Sequence, residues 1–206
     1  MNAYFSEQLL WPTRLGIYEA DPAWEIHQEL YDYAVSSVQD GSRNASERRV
    51  RGILDEHEAG LVLKDHLFSC ARHFLGEWGK YLDPDHCENR ALVIGNGAFI
   101  STHKDSREGD LSMVYFLTGG GEGQPINSVG NPRFVVEDPS RYFDEGRLPF
   151  EERHGFLVNP RPGLGIAFPS HIPHNQHPYT GEKDHVQIVA NFRVELPTNV
   201  EEELFD

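Results

Sequence analysis

Residues 91–117 read ALVIGNGAFISTHKDSREGDLSMVYFL, and their short apolar runs indicate β-strands rather than helices. Similar runs continue towards the carboxyl end, and connections rich in glycine and proline separate them. The later runs are RFVVED (133–138), GFLVNP (155–160), LGIAFP (164–169) and HVQIVANFRVEL (185–196). Many short strands joined by turns predict a jelly roll or a barrel.

The first ninety residues have a helical texture instead. Residues 21–38 predict one helix, in which Asp21 can cap the amino end and Pro22 suits the first turn. Residues 60–81 predict a second helix, because apolar side chains recur there at a spacing of three or four. The members of this stripe are Leu63, Leu67, Cys70, Phe74 and Trp78.

Together these patterns predict a mainly β protein, a double-stranded β-helix (jelly roll) with N-terminal helices packed against it. We expect a single domain over 1–206, with a helical preface at 1–90 and a jelly-roll catalytic core at 91–197. The charged connection at 140–153 is predicted to be a lid or a surface loop.

Charge and composition narrow the classes of partner. The formal net charge is −15, and such a surface repels phosphate backbones and anionic lipid headgroups. We therefore expect no nucleic acid and no membrane as partners. The chain has 2 cysteines, Cys70 and Cys87, which form no CxxC pair and suit reduced thiols in a cytoplasmic protein. No signal peptide is recognisable, and no oligomeric state is indicated.

The segment His103-Lys104-Asp105 contains the first candidate ligands. Residues two apart on a strand point to the same face, so His103 and Asp105 can present an imidazole and a carboxylate to one point. Two histidines and one carboxylate on one face of an octahedral ion form the facial triad of non-haem iron(II) oxygenases. By itself, an H-x-D triplet is more often an exposed polar turn than a pair of metal ligands.

A third ligand is predicted near residues 162–174, PGLGIAFPSHIPH, where an apolar strand ends at histidines flanked by prolines. Three histidines compete for the role, and the prolines between them exclude a helix. In an extended chain His174 points opposite to His171 and His177, so one of these positions can bind a metal while the others flank it or face water.

At the level of motifs, residues 93–194 resemble the core of the 2-oxoglutarate and iron(II)-dependent oxygenase superfamily, above all its small bacterial and phage-like members. Three blocks match in order: H-x-D followed by S-x-x-Y-F-L, then F-V-V-E-D-P, then P-G-x-x-x-x-F-P-S-x-x-P-H. The resemblance implies that His103, Asp105 and His174 bind iron(II). It also implies 2-oxoglutarate as cosubstrate, O₂ as oxidant, and the double-stranded β-helix fold.

One position departs from the family pattern. The strand after the distal histidine usually opens with an arginine that binds the far carboxylate of 2-oxoglutarate, and His185 stands there instead. Arg193, eight residues on and on the same strand face by counting, is an alternative anchor, and Lys183 is a third. The remaining alternative is an anchor on another strand, such as 113–117. Tyr115 is predicted to hydrogen-bond the cosubstrate or to be a core residue. Asn191 is predicted to lie on the inward face of the last strand near the iron, where it either contacts substrate or only satisfies buried backbone.

The resemblance implies a dioxygenase that hydroxylates or desaturates an unactivated C–H bond. Related halogenases replace the carboxylate ligand with a small residue, whereas Asp105 is retained here. The compact chain suits a small-molecule substrate, such as an amino acid or a natural-product intermediate. Two alternatives remain open: a cupin-like metal enzyme that does not use 2-oxoglutarate, and a non-catalytic jelly-roll binding module.

Overall fold

The fold is described from a computed structural model, which covers residues 4–10, 13–38, 48–119, 131–137 and 155–196. The predicted lid or loop at 140–153 lies outside these residues. The helices are α1 (Ile26–Ser37), α2 (Ile53–Glu56), α3 (Glu58–Leu75) and a 3-10 helix at Gly76–Tyr81. The strands are β1 (Tyr4–Leu10), β2 (Thr13–Glu19), β3 (Arg48–Arg51), β4 (Leu82–Ile94), β5 (Ile100–His103), β6 (Leu111–Phe116), β7 (Phe134–Glu137), β8 (Gly155–Val158), β9 (Leu164–Pro169), β10 (His174–Gln176) and β11 (His185–Val194).

The described strands form two antiparallel sheets. The major sheet has seven strands in the order β1-β2-β9-β6-β11-β4-β3, and the minor sheet has four in the order β5-β10-β7-β8. Strands that are distant in sequence are neighbours in both sheets, as a jelly roll requires. The predicted double-stranded β-helix with helices packed against it is confirmed.

Two apolar cores cover the two faces of the major sheet. One lies between the major sheet and the helices, and it takes Val186, Ile188, Ala190 and Phe192 from β11. The other lies between the two sheets and contains Val189 from the same strand. Because successive side chains on a strand alternate in direction, one strand serves both cores. We call the space between the sheets the barrel interior.

The second helix ends earlier than predicted. The apolar stripe on α3 is buried through Phe74, but Gly76 follows with a φ of 60°. The Gly76 N–H donates to the carbonyl oxygens of Arg72 and His73, which closes the helix in a conformation that favours glycine. The chain continues as a 3-10 helix, where Trp78 is 40% exposed rather than part of the stripe.

The first helix begins later than predicted. Asp21 does not cap α1, which starts at Ile26. The Asp21 side chain accepts a hydrogen bond from the Ala23 N–H at 2.9 Å, and the Asp21 carbonyl accepts one from the Trp24 N–H at 3.0 Å. These bonds make a separate turn that precedes the helix.

The preface at 1–90 is not only helical. It supplies β1, β2 and β3, and β4 begins within it and runs through the segment DPDHCEN (83–89). β2 pairs with β9 and β3 pairs with β4, so both extend the major sheet at its edges. Partners that are far away in sequence stabilise these strands. In the described residues, no helix is long and apolar enough to cross a membrane.

Candidate metal centre

The pairing of β5 with β10 brings two histidines side by side. His103 is the last residue of β5 and His174 is the first of β10, and they are direct partners in the antiparallel register. Their ring centroids lie 4.2 Å apart. Asp105 follows β5 by two residues, in a segment held against the end of β9 by a 3.0 Å bond from the Asp105 N–H to the Ser170 carbonyl oxygen.

The three side chains converge on one point. Nε2 of His103 lies 3.7 Å from Oδ1 of Asp105, and Nε2 of His174 lies 3.7 Å from Oδ2. One ligand atom from each residue can be chosen so that all lie within 4.8 Å of one another. In the described part of the chain, this is the only group of three or more His, Cys, Asp or Glu residues with metal-binding spacing.

Backbone carbonyls set the tautomer of both histidines. Nδ1 of His103 lies 2.9 Å from the Ser101 carbonyl oxygen, and Nδ1 of His174 lies 3.1 Å from that of Ile172. A carbonyl only accepts, so each Nδ1 carries a proton, and in the neutral ring Nε2 then keeps the lone pair. This is the usual arrangement of histidines that bind a metal through Nε2.

His174 is neutral at ordinary pH. Burial, and after it the neighbouring His103, lower its pKa to about 4, although Asp105 opposes both. A neutral imidazole is the form that binds a metal ion. Phe168 and Phe134 pack on the ring, with centroid distances of 5.0 and 5.5 Å. These contacts explain why His174 is buried.

The Asp105 carboxylate has one satisfied and one unsatisfied oxygen. It is 3% exposed, and Oδ1 accepts a 3.2 Å hydrogen bond from Nη2 of Arg90. Oδ2 has no hydrogen-bond partner in the described residues. A buried carboxylate oxygen without a partner is costly, and a cation at the centre of the triad satisfies it. The residues present therefore fit a divalent metal ion.

His171 and His177, the competing candidates for the third ligand, are both exposed. The structure therefore brings His103, Asp105 and His174 together and leaves the other two histidines outside the group.

Comparisons with known proteins agree with this geometry at the level of fold. No protein-family model matches the chain, and no curated protein matches it by sequence. Among solved structures, a prolyl-4-hydroxylase from Pseudomonas putida is similar, with a TM-score of 0.61, 16% identity and coverage of 93% of this chain and 92% of that one. The chain has the fold of the 2-oxoglutarate and iron(II)-dependent oxygenases.

Two other similar structures contain bound ligands. The epimerase SnoN, in complex with Fe3+, alpha ketoglutarate and nogalamycin RO, has a TM-score of 0.59 at 11% identity, over 86% of this chain and 78% of that one. HygX from Streptomyces hygroscopicus, with nickel, 2-oxoglutarate and hygromycin B bound, has a TM-score of 0.58 at 11% identity, over 87% of this chain and 82% of that one.

His185, the residue at the oxygenase arginine position, lies fully buried in the barrel interior. Its Nδ1 is 3.0 Å from Oγ1 of Thr118, and the Gln187 side chain lies beside the ring, while Nε2 has no partner of standard hydrogen-bond geometry among the described residues. The ring stacks on Phe116 at 6.0 Å and lies 5.8 Å from Tyr179. Burial lowers the pKa of His185 to about 3, so the ring is uncharged at physiological pH.

Tyr115 lies on the opposite face of the sheet from the metal centre. Its hydroxyl is 2.6 Å from Nε2 of His27 on α1, and its side chain belongs to the core beneath the helices. The neighbours Val114 and Phe116 face the barrel interior instead. Of the two predicted roles for Tyr115, the structure supports the core role, because the side chain lies on the face of the sheet away from the metal centre.

Arg193 also lies away from the interior. The register of β11 shifts between Phe192 and Val194, and Arg193 is exposed there, so it does not continue the inward face of the strand. Lys183 is exposed in the turn before β11. Asn191 is fully buried, and its Nδ2 donates a 2.8 Å hydrogen bond to Oε2 of Glu108.

Sequence reasoning missed two charged residues of the centre, Arg90 and Glu108. Nη1 of Arg90 donates a short hydrogen bond to Oε2 of Glu108, and Nη2 contacts Asp105. Gly109 lets this turn approach β11, because a Cβ there would lie 2.7 Å from the Phe192 carbonyl oxygen. One signal was present: Arg90 directly precedes the apolar run ALVI, where a cation is unusual unless it is paired.

Proposed function

We propose that the protein is a non-haem iron(II), 2-oxoglutarate-dependent dioxygenase that oxidises an unactivated C–H bond of a small molecule. The observation that carries the proposal is the convergence of two Nε2 lone pairs and one unpartnered carboxylate oxygen, within the fold of these oxygenases. This donor set suits iron(II), and three ligands on one face leave positions for cosubstrate and O₂.

The barrel interior supports 2-oxoglutarate as the cosubstrate. Phe134 packs on His174 at 5.5 Å and on Phe116 at 5.9 Å, and Phe116 in turn stacks on His185. An aromatic wall therefore runs from the metal centre to His185, and it suits the methylene groups of the cosubstrate. We propose that Nε2 of His185 donates a hydrogen bond to the far carboxylate.

Two glutamines extend the polar surface of this interior. Gln176 is 1% exposed, and neither its Oε1 nor its Nε2 has a partner in the described segments. Oε1 of Gln187 is likewise unpartnered. Buried amides of this kind are normally satisfied, so we propose that Nε2 of Gln176 donates to the bound cosubstrate. Hydrogen bonds from neutral groups to a carboxylate are still strengthened by its charge.

Bound iron(II), with 2-oxoglutarate and O₂, supplies the oxidising power, and the protein supplies orientation and exclusion of water. Asp105 partly neutralises the metal, and its retention favours hydroxylation or desaturation over halogenation. The side chain of His103 is 35% exposed, so the centre opens to solvent on that side. We propose that a small substrate, such as an amino acid or a natural-product intermediate, approaches there, in contact with Asn191.

The uncharged interior also favours a second candidate, a metal enzyme with the same triad that does not use 2-oxoglutarate. No lysine or arginine among the described interior residues is available to pair with a far carboxylate, because Arg90 is already bound to Asp105 and Glu108. A weak or absent response to 2-oxoglutarate would support this candidate.

The deciding experiment measures succinate formed from 2-oxoglutarate by the purified protein with iron(II) and O₂. We expect succinate from the unaltered protein and from His171→Ala, whose side chain is exposed, and none above background from His174→Ala. Iron binding without succinate formation, even with candidate substrates added, would favour the second candidate. Absence of iron binding would contradict both.

A further inference from the structure

Arg90 is a buried cation beside the proposed metal site. Its side chain is 7% exposed, and its guanidinium lies between the carboxylates of Asp105 and Glu108. A lone positive charge at this position would repel a divalent ion. Burial of an ion pair rarely adds stability over apolar packing. Stability alone therefore does not explain why Arg90 is buried here, and its contact with Asp105 indicates a role in metal binding.

The first part of that role concerns the choice of carboxylate oxygen. Nη2 of Arg90 occupies Oδ1 of Asp105 at 3.2 Å, and Oδ2 has no partner among the described residues. A carboxylate can bind a metal through one oxygen or through both. Metal binding through Oδ2 alone would keep the bond from the guanidinium to Oδ1, and a ligand that uses one oxygen leaves one more position open for exogenous ligands.

The second part concerns charge. Glu108 accepts the other arm of Arg90, and its own N–H donates to the Asp105 carbonyl oxygen at 2.8 Å, which fixes it beside the ligand in one turn. Nδ2 of Asn191 donates to the same Oε2 at 2.8 Å. Arg90 and Glu108 cancel, so the metal meets the single negative charge of Asp105.

We propose that Arg90 is a positioning residue that restricts Asp105 to one metal-binding oxygen, and that Glu108 neutralises Arg90 so that this restriction does not weaken metal binding. The inference rests on the proposed metal site. If this role is correct, loss of Glu108 should weaken metal binding, whereas loss of Arg90 should not weaken it and should reduce the water bound to the metal. A merely structural role would give similar effects for both substitutions.

Mn(II) serves as the probe, because its affinity and its coordinated water are both measurable without turnover. Electron paramagnetic resonance of free Mn(II) gives the dissociation constant, and water-proton relaxation reports bound water. For Glu108→Gln, we expect Mn(II) affinity to fall by about tenfold or more, as for the loss of an outer-shell partner. The cause is that Arg90 then faces the metal without its counter-charge.

For Arg90→Gln, we expect Mn(II) to bind at least as tightly as in the unaltered protein, since a positive charge is removed. The relaxation effect should fall by about a third, because Asp105 can then use both oxygens and displace one of the three exchangeable ligands. The double variant Arg90→Gln/Glu108→Gln should return the affinity to within about threefold of the unaltered value.

Arg48→Gln is the matched control, because Arg48 pairs with Asp184 at 2.5 Å, outside the metal centre, and its loss should change neither readout. If Arg90→Gln fails to fold, Arg90→Lys replaces it. A lysine lacks the two-armed geometry, so the same loss of water is expected. Equal weakening by Arg90→Gln and Glu108→Gln, or unchanged relaxation with either Arg90 variant, overturns the inference. Absence of Mn(II) binding by the unaltered protein overturns the metal site itself.

Discussion

The two ends of β11 line the same interior, but the buried polar side chains at one end are charged and those at the other end are neutral. At the Asn191 end, charged side chains are paired. Arg90 donates hydrogen bonds to both Glu108 and Asp105, and Asn191 donates a further one to Glu108. At the His185 end the described interior side chains are neutral. Polar atoms without partners occur at both ends, among them Oδ2 of Asp105 and Nε2 of His185, so the two ends differ in charge.

The difference shows how a site can be prepared for two ligands of opposite charge. A site for a dication benefits from charged side chains that are already held in place. Burying these charges costs desolvation free energy, but little rearrangement is then needed when the ion binds. An anion that must leave again can be met by neutral donors such as the His185 ring, which is cheaper to bury than a cation. The mutations below test whether the two ends differ in this way.

The largest effect is expected at the charged end, from removal of a ligand. His174→Ala should lower iron(II) affinity by roughly 100-fold or more, because one of three protein ligands is lost. His171→Ala and His177→Ala should leave it unchanged, because both side chains are exposed. Anaerobic iron titration of the three variants makes the measurement. Normal iron binding by His174→Ala together with loss in His171→Ala would assign the third ligand to His171.

The next effect concerns the uncharged end. His185→Ala should weaken 2-oxoglutarate binding by roughly 10–100-fold, as expected for loss of one hydrogen-bond donor to a charged acceptor at about 1.5–3 kcal/mol. The dissociation constant can be measured anaerobically from the absorbance of the iron complex, with His177→Ala as the exposed control.

The pH dependence of that binding sharpens the comparison. Because burial lowers the pKa of His185 to about 3, the ring stays neutral and the affinity should be constant from about pH 6 to 8.5. A loss of affinity as the pH rises through about 6.5 would show that the protonated ring binds the cosubstrate.

The same pKa shift affects stability. In the unfolded state His185 takes up a proton below about pH 6.5, whereas in the folded state it stays neutral. The ligand-free protein should therefore lose stability as the pH falls below about 6.5, and His185→Gln should reduce this loss.

A smaller effect is expected from the other face of the sheet. Tyr115→Phe removes the 2.6 Å hydrogen bond to His27 and should lower the free energy of unfolding by about 1 kcal/mol. It should leave 2-oxoglutarate affinity unchanged, because Tyr115 belongs to the core under the helices. Denaturant unfolding and cosubstrate titration test the two statements separately. If Tyr115→Phe clearly lowered 2-oxoglutarate affinity without lowering the free energy of unfolding, Tyr115 would belong to the cosubstrate site.

The smallest effect is expected at Arg193. Its side chain is exposed beyond a register shift, so Arg193→Ala should change 2-oxoglutarate affinity by less than about twofold and stability by less than about 0.5 kcal/mol. The same absorbance titration applies. A tenfold loss would mean that Arg193 is the anchor and would remove the contrast between a charged and an uncharged end.

Features that depend on local sequence were predictable. The strand runs, their turns and the H-x-D segment follow from periodicity and spacing, and the matching blocks pointed to His174 among three histidines. β1, β2 and β3 were missed because their stability comes from partners far away in sequence, as in the pairing of β2 with β9. Sequence periodicity does not contain this information.

The predicted roles of individual residues depended on knowing which face of a strand is inward. Every residue of β6 is buried, so no polar–apolar alternation shows that Tyr115 faces the helices. Arg193 shared the face of His185 by counting, until an irregular pairing moved it outward. Arg90 lies on β4, whereas its partners Asp105 and Glu108 follow β5, so local sequence does not show the pairing. In the sequence Arg90 is only a cation beside an apolar run.

The direct pairing of His103 with His174 has a mechanical consequence. β5 has only four residues, and its pairing with β10 is interrupted by a register shift one step beyond these histidines. A metal ion bound by both rings would be a reversible cross-link that closes a long chain loop and ties the edge strand of the minor sheet in place. Chelation should then increase amide hydrogen exchange in β5 first, so that loss of the ion is felt as a loosened sheet edge before any change in the helical layer.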